Sequence, residues 1–217
     1  MTGDIDGVIA SGLMNDVGSV HRFTSLLCVG IPEGESCEAI WTVTPPRQIV
    51  LDVRSSAGRY AQTFIRQTEG WVVIQNLMVL IERYRGGGHA KRLVRNLAIV
   101  YDELGIIYAS TVANDVLGGY VWAALGARAR DPALQRRAML EKLEVLALQG
   151  QIPREYAEAF ISQLSKVDDD DLMQWISQLY IEDGADVGRL LLAGHAWEAY
   201  WDLNDNKVRD YIRDALQ

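Results

Sequence analysis

At residues 82–88, "ERYRGGG", the hydrophobic rhythm of the chain changes from strand-like to helical. Upstream lie three runs rich in Val, Ile and aromatics: "QIVLDV" (48–53), "RYAQTFIRQT" (59–68) and "WVVIQNLMVLI" (71–81). Short turns, "SSAG" and "EG", separate them, which predicts a strand meander. The third run is apolar almost throughout, as expected of a strand covered on both faces. Downstream, Leu93, Leu97, Val100 and Tyr101 recur at helical spacing, and Gly105 suits the end of that helix. The chain must therefore place a strand, a glycine turn and a helix in direct succession.

The remainder reads in the same terms. Residues 5–20 are mixed in pattern and predict a helix, "GIPEG" predicts a turn, and "PPRQ" predicts a break. "IIYASTV" (106–112) reads as a strand, with Asn114 and Asp115 placed to cap a helix that ends at Gly126. Residues 132–150 predict a helix that opens on Pro132 and closes on Gly150. Two more helices are expected in "PREYAEAFISQLSKV" and "DDLMQWISQLYIEDG", then a strand and a last helix in the tail. The acidic run Asp168–Asp171 reads as a solvated helix start, where negative charge suits the helix dipole.

A net charge of −8 argues against a broad nucleic-acid surface, since phosphate contacts need a basic face. Two cysteines, Cys28 and Cys37, lack CxxC spacing, and only His21, His89 and His195 are present, so no metal site is expected. Reduced thiols in a cytoplasmic protein are the plain expectation. The opening stretch shows no basic n-region with a long apolar run, and no stretch is long and apolar enough to predict a membrane span.

Why three glycines at one spot? Each costs backbone entropy. A helix N-terminus exposes unpaired N–H groups and a partial positive charge. Bare backbone there lets an anion approach those groups, as a phosphate or pyrophosphate does. Arg83, Arg85, Lys91, Arg92 and Arg95 surround the turn, opposed by Glu82. A P-loop pattern is absent, and the Rossmann spacing fails at its last glycine. A tight turn needing positive φ explains the glycines alone equally well.

The longer context, "NLMVLIERYRGGGHAKRLVRNLAIVYDELGI", resembles the signature of the GNAT N-acyltransferase superfamily. Arg85, Gly88 and Ala90 match its Arg/Gln-x-x-Gly-x-Gly/Ala motif in register, and Asn114, Tyr120, Trp122 and Gly126 follow its next strand and helix. The resemblance covers roughly residues 48–127. It implies an α+β fold with a mixed, mostly antiparallel central sheet flanked by helices. It implies residues 1–130 as an acyl-CoA-binding core and 131–217 as a helical extension whose final strand and helix complete the fold.

By the same resemblance, the backbone of Arg85, Gly86, Gly87, Gly88, His89 and Ala90 would bind the pyrophosphate of acyl-CoA. The backbone of Met78, Val79 and Leu80 would hold the pantetheine, and Asn114 would contact the cofactor arm. No metal is implied. Where the family often has a tyrosine to protonate the leaving thiolate, this chain has Trp122, and an indole is no useful acid. Tyr120 lies two residues earlier, about 200° around a helix, and is the candidate acid. Glu82 is the candidate base. His195 with Trp197, Tyr200 and Trp201 forms an aromatic cluster that reads as core strand or as an acceptor pocket.

The implied activity is transfer of an acyl group, acetyl or longer, from acyl-CoA to an amine of a small molecule, peptide or protein. A non-catalytic CoA-binding or protein-interaction module is the alternative. Leu140, Leu143, Leu146, Phe160, Leu164, Leu172 and Trp175 recur along the helical extension. They would bury against the core, line an apolar tunnel for an acyl chain, or form a homodimer interface.

Overall fold

The computed structural model describes the chain except residues 29–35, 45–47, 57, 81–88, 115–117, 183 and 216–217, and the side chains of 77–80, 89–91, 211 and 213–215. Its elements are, in order, β1 (Thr2–Gly3), α1 (Ile5–Ala10), α2 (Val17–Cys28), β2 (Cys37–Thr44), β3 (Gln48–Ser55), β4 (Gly58–Arg66) and β5 (Trp71–Leu80). There follow α3 (His89–Glu103), β6 (Ile106–Ala113), α4 (Gly118–Ala124), β7 (Arg128–Ala129) and α5 (Pro132–Leu148). The last are α6 (Arg154–Leu164), α7 (Leu172–Ser177), α8 (Val187–Leu192), β8 (Trp197–Asp202) and α9 (Asn206–Ala215). The fold is α+β, with a mixed eight-stranded sheet in the order β1-β2-β3-β4-β5-β6-β8-β7. By contacts the chain divides into two compact units: residues 1–110 with 202–217, and residues 111–201.

In the first unit β1 runs parallel to β2, and β2 to β5 form an antiparallel meander. Alternation sets its buried face: Trp41 lies opposite Leu51, and Ile49 opposite Phe64, all four buried. Helix α2 lays Val20, Phe23 and Leu27 into the core. The Phe23 ring meets Trp41 at 5.5 Å and Phe64 at 6.0 Å between centroids. On α3 the buried set is Val94, Leu97, Val100 and Tyr101, with Leu93 only half-buried. Gly105 takes a φ of 62° after the helix, the left-handed conformation that glycine tolerates best.

Strand β5 departs from the expectation of cover on both faces, because Ile74 is 40% exposed and Asn76 is also exposed. The register slips at Asn76: Gln62 pairs with Gln75, but Ala61 pairs with Leu77. One extra residue on β5 makes a bulge there. Beside it lies a buried polar cluster. The Tyr101 hydroxyl donates to Gln62 Oε1 at 2.8 Å, and the Tyr60 hydroxyl also meets Gln62 Oε1. Burial pushes both phenols above their ordinary range, so both stay protonated and α3 is tied to β4 by neutral hydrogen bonds.

The free-thiol expectation is corrected. Cys28, the last residue of α2, and Cys37, the first of β2, are joined by a disulfide at a Cα–Cα separation of 6.4 Å. The docking of α2 on β2 brings the two ends within bonding range, which their spacing in sequence does not show. The reduced-thiol basis of the cytoplasmic expectation goes with it. Among the described residues no helix is long and apolar enough to cross a membrane.

On the face of β3 and β4, Asp52 holds two arginines. Its carboxylate accepts from Arg54 at 2.9 and 2.6 Å and from Arg59 at 2.9 and 2.8 Å. The Arg59 hydrogen bonds chiefly, joined by those of Arg54 and by both charges, outweigh the desolvation that burial brings and lower its pKa to about 2. A carboxylate with a depressed folded pKa adds stability above its unfolded value of 3.8, and that stability is lost as pH falls toward 2. Both arginines are half-exposed, so solvent screening holds the effect to about 1 kcal/mol. Asp52→Asn is expected to unfold at lower urea than wild type at pH 7, with the gap closing between pH 4 and 2.

The second unit has a core of its own. Helix α5 starts at Asp131, whose side chain accepts from Leu134 N at 2.9 Å, and Gly150 (φ 68°) follows its end. Leu143, Leu146, Phe160, Leu164 and Leu172 are buried within this unit, whereas Leu140 and Trp175 are half-buried. The segment expected as one helix over 170–184 is only six residues of α7, and α8 is a separate short helix. The acidic run does sit at the start of α7, but solvation is not its whole role. Asp169 pairs with the half-buried Arg136 at 2.6 Å, and Asp170 pairs with the buried Arg128 at 3.3 Å. Arg136 also donates to the carbonyls of Leu164 and Val167, so one guanidinium closes α6 and anchors the run.

Candidate functional site

The strand before the glycine turn is β5, and its last residues are paired to β4. Met78 lies opposite Tyr60, Val79 opposite Arg59 and Leu80 opposite Gly58. Glu82, Arg85, Gly86, Gly87 and Gly88 lie outside the described residues. Helix α3 begins directly after them, so His89 and Ala90 are its first two residues. The first N–H groups of this fifteen-residue helix have no carbonyl partner within the helix itself. Asn96 fixes this helix to α2 by donating to the Leu26 carbonyl at 2.5 Å.

Asn114 follows the end of β6 and is exposed. Tyr120 is half-buried on α4. Burial chiefly, then the nearby Asp186 carboxylate, raises its phenol pKa, and Arg189 opposes them. Its proton is therefore held more tightly than that of a free tyrosine. Asp186 is itself committed to the start of α8, accepting from Arg189 N at 2.8 Å. Trp122, two residues on, is buried and packs edge-on against Trp201 at 5.0 Å. The indole is therefore a core group.

The N-terminal end of α4 lies against the segment between α8 and β8. The Trp197 indole donates to the Gly119 carbonyl at 3.3 Å. A Cβ at Gly119 would meet the His195 carbonyl oxygen at 2.5 Å and that of Leu192 at 2.7 Å. Only a residue without a side chain permits this approach.

His195, placed in sequence among aromatics, is half-buried, and its partners come from α5. Its Nε2 lies 2.6 Å from Oε1 of the buried Gln135. One helical face of α5 also carries Lys142, whose Nζ donates to the carbonyls of Leu191 at 2.5 Å and Ala193 at 3.4 Å. Burial lowers the Lys142 pKa, and burial followed by the Lys142 charge lowers that of His195. Imidazole is therefore the form present at pH 7. Neither Gln135 nor Lys142 stands out in sequence. Their seven-residue spacing puts them on one face of α5, but nothing local points to a histidine 60 positions from Gln135.

Among the described residues no group of His, Cys, Asp and Glu is placed to hold a metal ion. Compared with known protein families, curated proteins and solved structures, the chain matches none.

Proposed function

We propose that the protein is an acyl-CoA-dependent N-acyltransferase of GNAT-like fold. The observation that carries this reading is the succession β5, glycine-rich 81–88, α3, β6, at the register that the Arg85–Gly88–Ala90 motif requires. The start of a fifteen-residue helix behind bare backbone suits a pyrophosphate. The strand order β5-β6-β8-β7, with the last strand inserted beside β6, supports it further.

In this reading the turn backbone binds the pyrophosphate and Met78–Leu80 the pantetheine. Main-chain donors near the thioester carbonyl would stabilise the oxyanion of the tetrahedral intermediate, the larger catalytic effect in acyl transfer. The acceptor is an amine on a small molecule, peptide or protein. The second reading, a CoA-binding module without catalysis, is favoured by Tyr120. Its phenol faces Asp186 and holds its proton tightly, which does not suit an acid.

Calorimetry with acetyl-CoA and dodecanoyl-CoA tests both readings, and intact-mass detection of amide products separates them. Gly88→Glu places a side chain and a negative charge where pyrophosphate would sit. It is expected to lower CoA affinity more than tenfold in a folded protein. Unchanged binding in that variant sinks the phosphate-cradle assignment.

A further inference from the structure

Helix α3 is seated on the sheet by two kinds of contact. Val94, Leu97 and Val100 bury apolar surface. Such burial resists lifting the helix but barely resists tilting it, because it has no direction. Tyr101 adds a directed contact. Its hydroxyl donates to Gln62 Oε1 at 2.8 Å, and the Tyr60 hydroxyl reaches the same oxygen. Tyr60 also lies 3.4 Å from Oε1 of Gln75. Tyr60, Gln62 and Tyr101 are at most 4% exposed.

This network is a poor source of stability. Two phenols share one acceptor, and the buried Gln62 Nε2 finds no acceptor among the described residues. A buried donor left unpaired costs free energy, and apolar groups of the same shape at all three positions would avoid that cost. What distinguishes the network is what it connects. Tyr60 stands opposite Met78 in the ladder, and Tyr101 belongs to the helix that begins at His89.

We infer that Tyr60, Gln62 and Tyr101 are positioning residues for acyl-CoA, holding the start of α3 and the strand segment Met78–Leu80 at the separation that one cofactor spans. This rests on the acyltransferase reading, in which the helix start takes the pyrophosphate and the strand takes the pantetheine. The three residues, the helix start and the strand segment all lie within the first unit. Tyr101 stands well along the helix from His89, about 18 Å at the ordinary rise. A tilt of about 10° there would displace the first turn by about 3 Å. Asn96 grips the Leu26 carbonyl of α2, which leaves the angle to the sheet to Tyr101.

The test uses the full chain, with calorimetry for acetyl-CoA and urea unfolding for stability. Tyr101→Phe, which keeps the ring and loses one hydrogen bond, is expected to weaken acetyl-CoA binding about three- to tenfold. The triple variant Tyr60→Phe/Gln62→Leu/Tyr101→Phe is expected to lose more than tenfold. Its urea midpoint should equal or exceed that of the wild type at the same m-value. Two fragments of the cofactor separate positioning from damage. Acetylpantetheine and 3′-phospho-ADP each engage one side only, so both are expected to keep their wild-type affinities, read by NMR titration, while intact acetyl-CoA loses its own. Wild-type acetyl-CoA affinity in the triple variant overturns the positioning role and leaves the acyltransferase reading standing. So does a triple variant that unfolds or melts early, or an equal loss for both fragments and the intact cofactor, since each makes the network a structural part only. Failure of the wild type to bind acetyl-CoA overturns the acyltransferase reading, and the positioning role with it.

Discussion

Gly119→Ala is expected to destabilise the second unit by about 2 kcal/mol, with larger losses for serine and valine. Two effects oppose each other. Alanine gains up to about 1 kcal/mol over glycine in a helix interior. Against that, its Cβ would sit 2.5 and 2.7 Å from the carbonyl oxygens of His195 and Leu192. Both contacts are backbone, and the amide of His195 is tied to the carbonyl of Leu192 at 3.1 Å, so neither can swing aside as a side chain would. Relief requires α4 to lift from the segment before β8, which also lengthens the Trp197–Gly119 hydrogen bond. Urea unfolding checks this through the midpoint at constant m-value. An alanine variant with the wild-type midpoint would overturn this steric account of Gly119.

Reduction of the Cys28–Cys37 bond is expected to cost about 2–3 kcal/mol of stability. The bond spans a separation of nine residues, and a loop that short gives the lower end of the chain-entropy range. Secondary structure should survive, because α2 is also held by Phe23 against Trp41 and Phe64 and by Asn96 of α3. The check is a pair of melts with and without a dithiol reductant. The Cys28→Ser/Cys37→Ser double variant should match the reduced wild type and ignore the reductant. If wild type and double variant melt together under oxidising conditions, the bond contributes nothing to stability.

What the sequence showed follows the range of the interactions involved. The strands β3 to β5 and the helices α3 and α5 declare themselves through period, turn residues and caps, all of them local. Strand β2 was not read from "CEAIWTVT", because its alternation is short and its cysteine suggests other chemistry. Helices α7 and α8 have six residues each, fewer than two turns, so no period can develop in them. The arginine partners of Asp169 and Asp170 lie more than thirty positions away in sequence. For the site, the glycine-rich stretch 81–88 could be picked out because backbone needs write themselves into residue choice, and it lies outside the described residues. The meeting of Gln135 with His195 was not, since it exists only once α5 has packed on the end of α8. Tyr120 could be placed on its helix from sequence, but the Asp186 carboxylate that tightens its hold on a proton could not.

The extra residue at Asn76 has an effect on polarity along the main chain. In a strand, consecutive residues send their N–H and C=O groups alternately to the left and right neighbours. Inserting one residue inverts that parity for everything after it. Met78, Val79 and Leu80 follow the insertion, so which of them turn their amides toward β4 and which turn them away is set by Asn76. Straightening the bulge, so that Asn76 itself stood opposite Ala61 in the ladder, would exchange the two sets without changing the identity of any of the three residues. A segment whose role is to offer main-chain groups to a ligand would then offer the complementary ones, acceptors standing where donors stood.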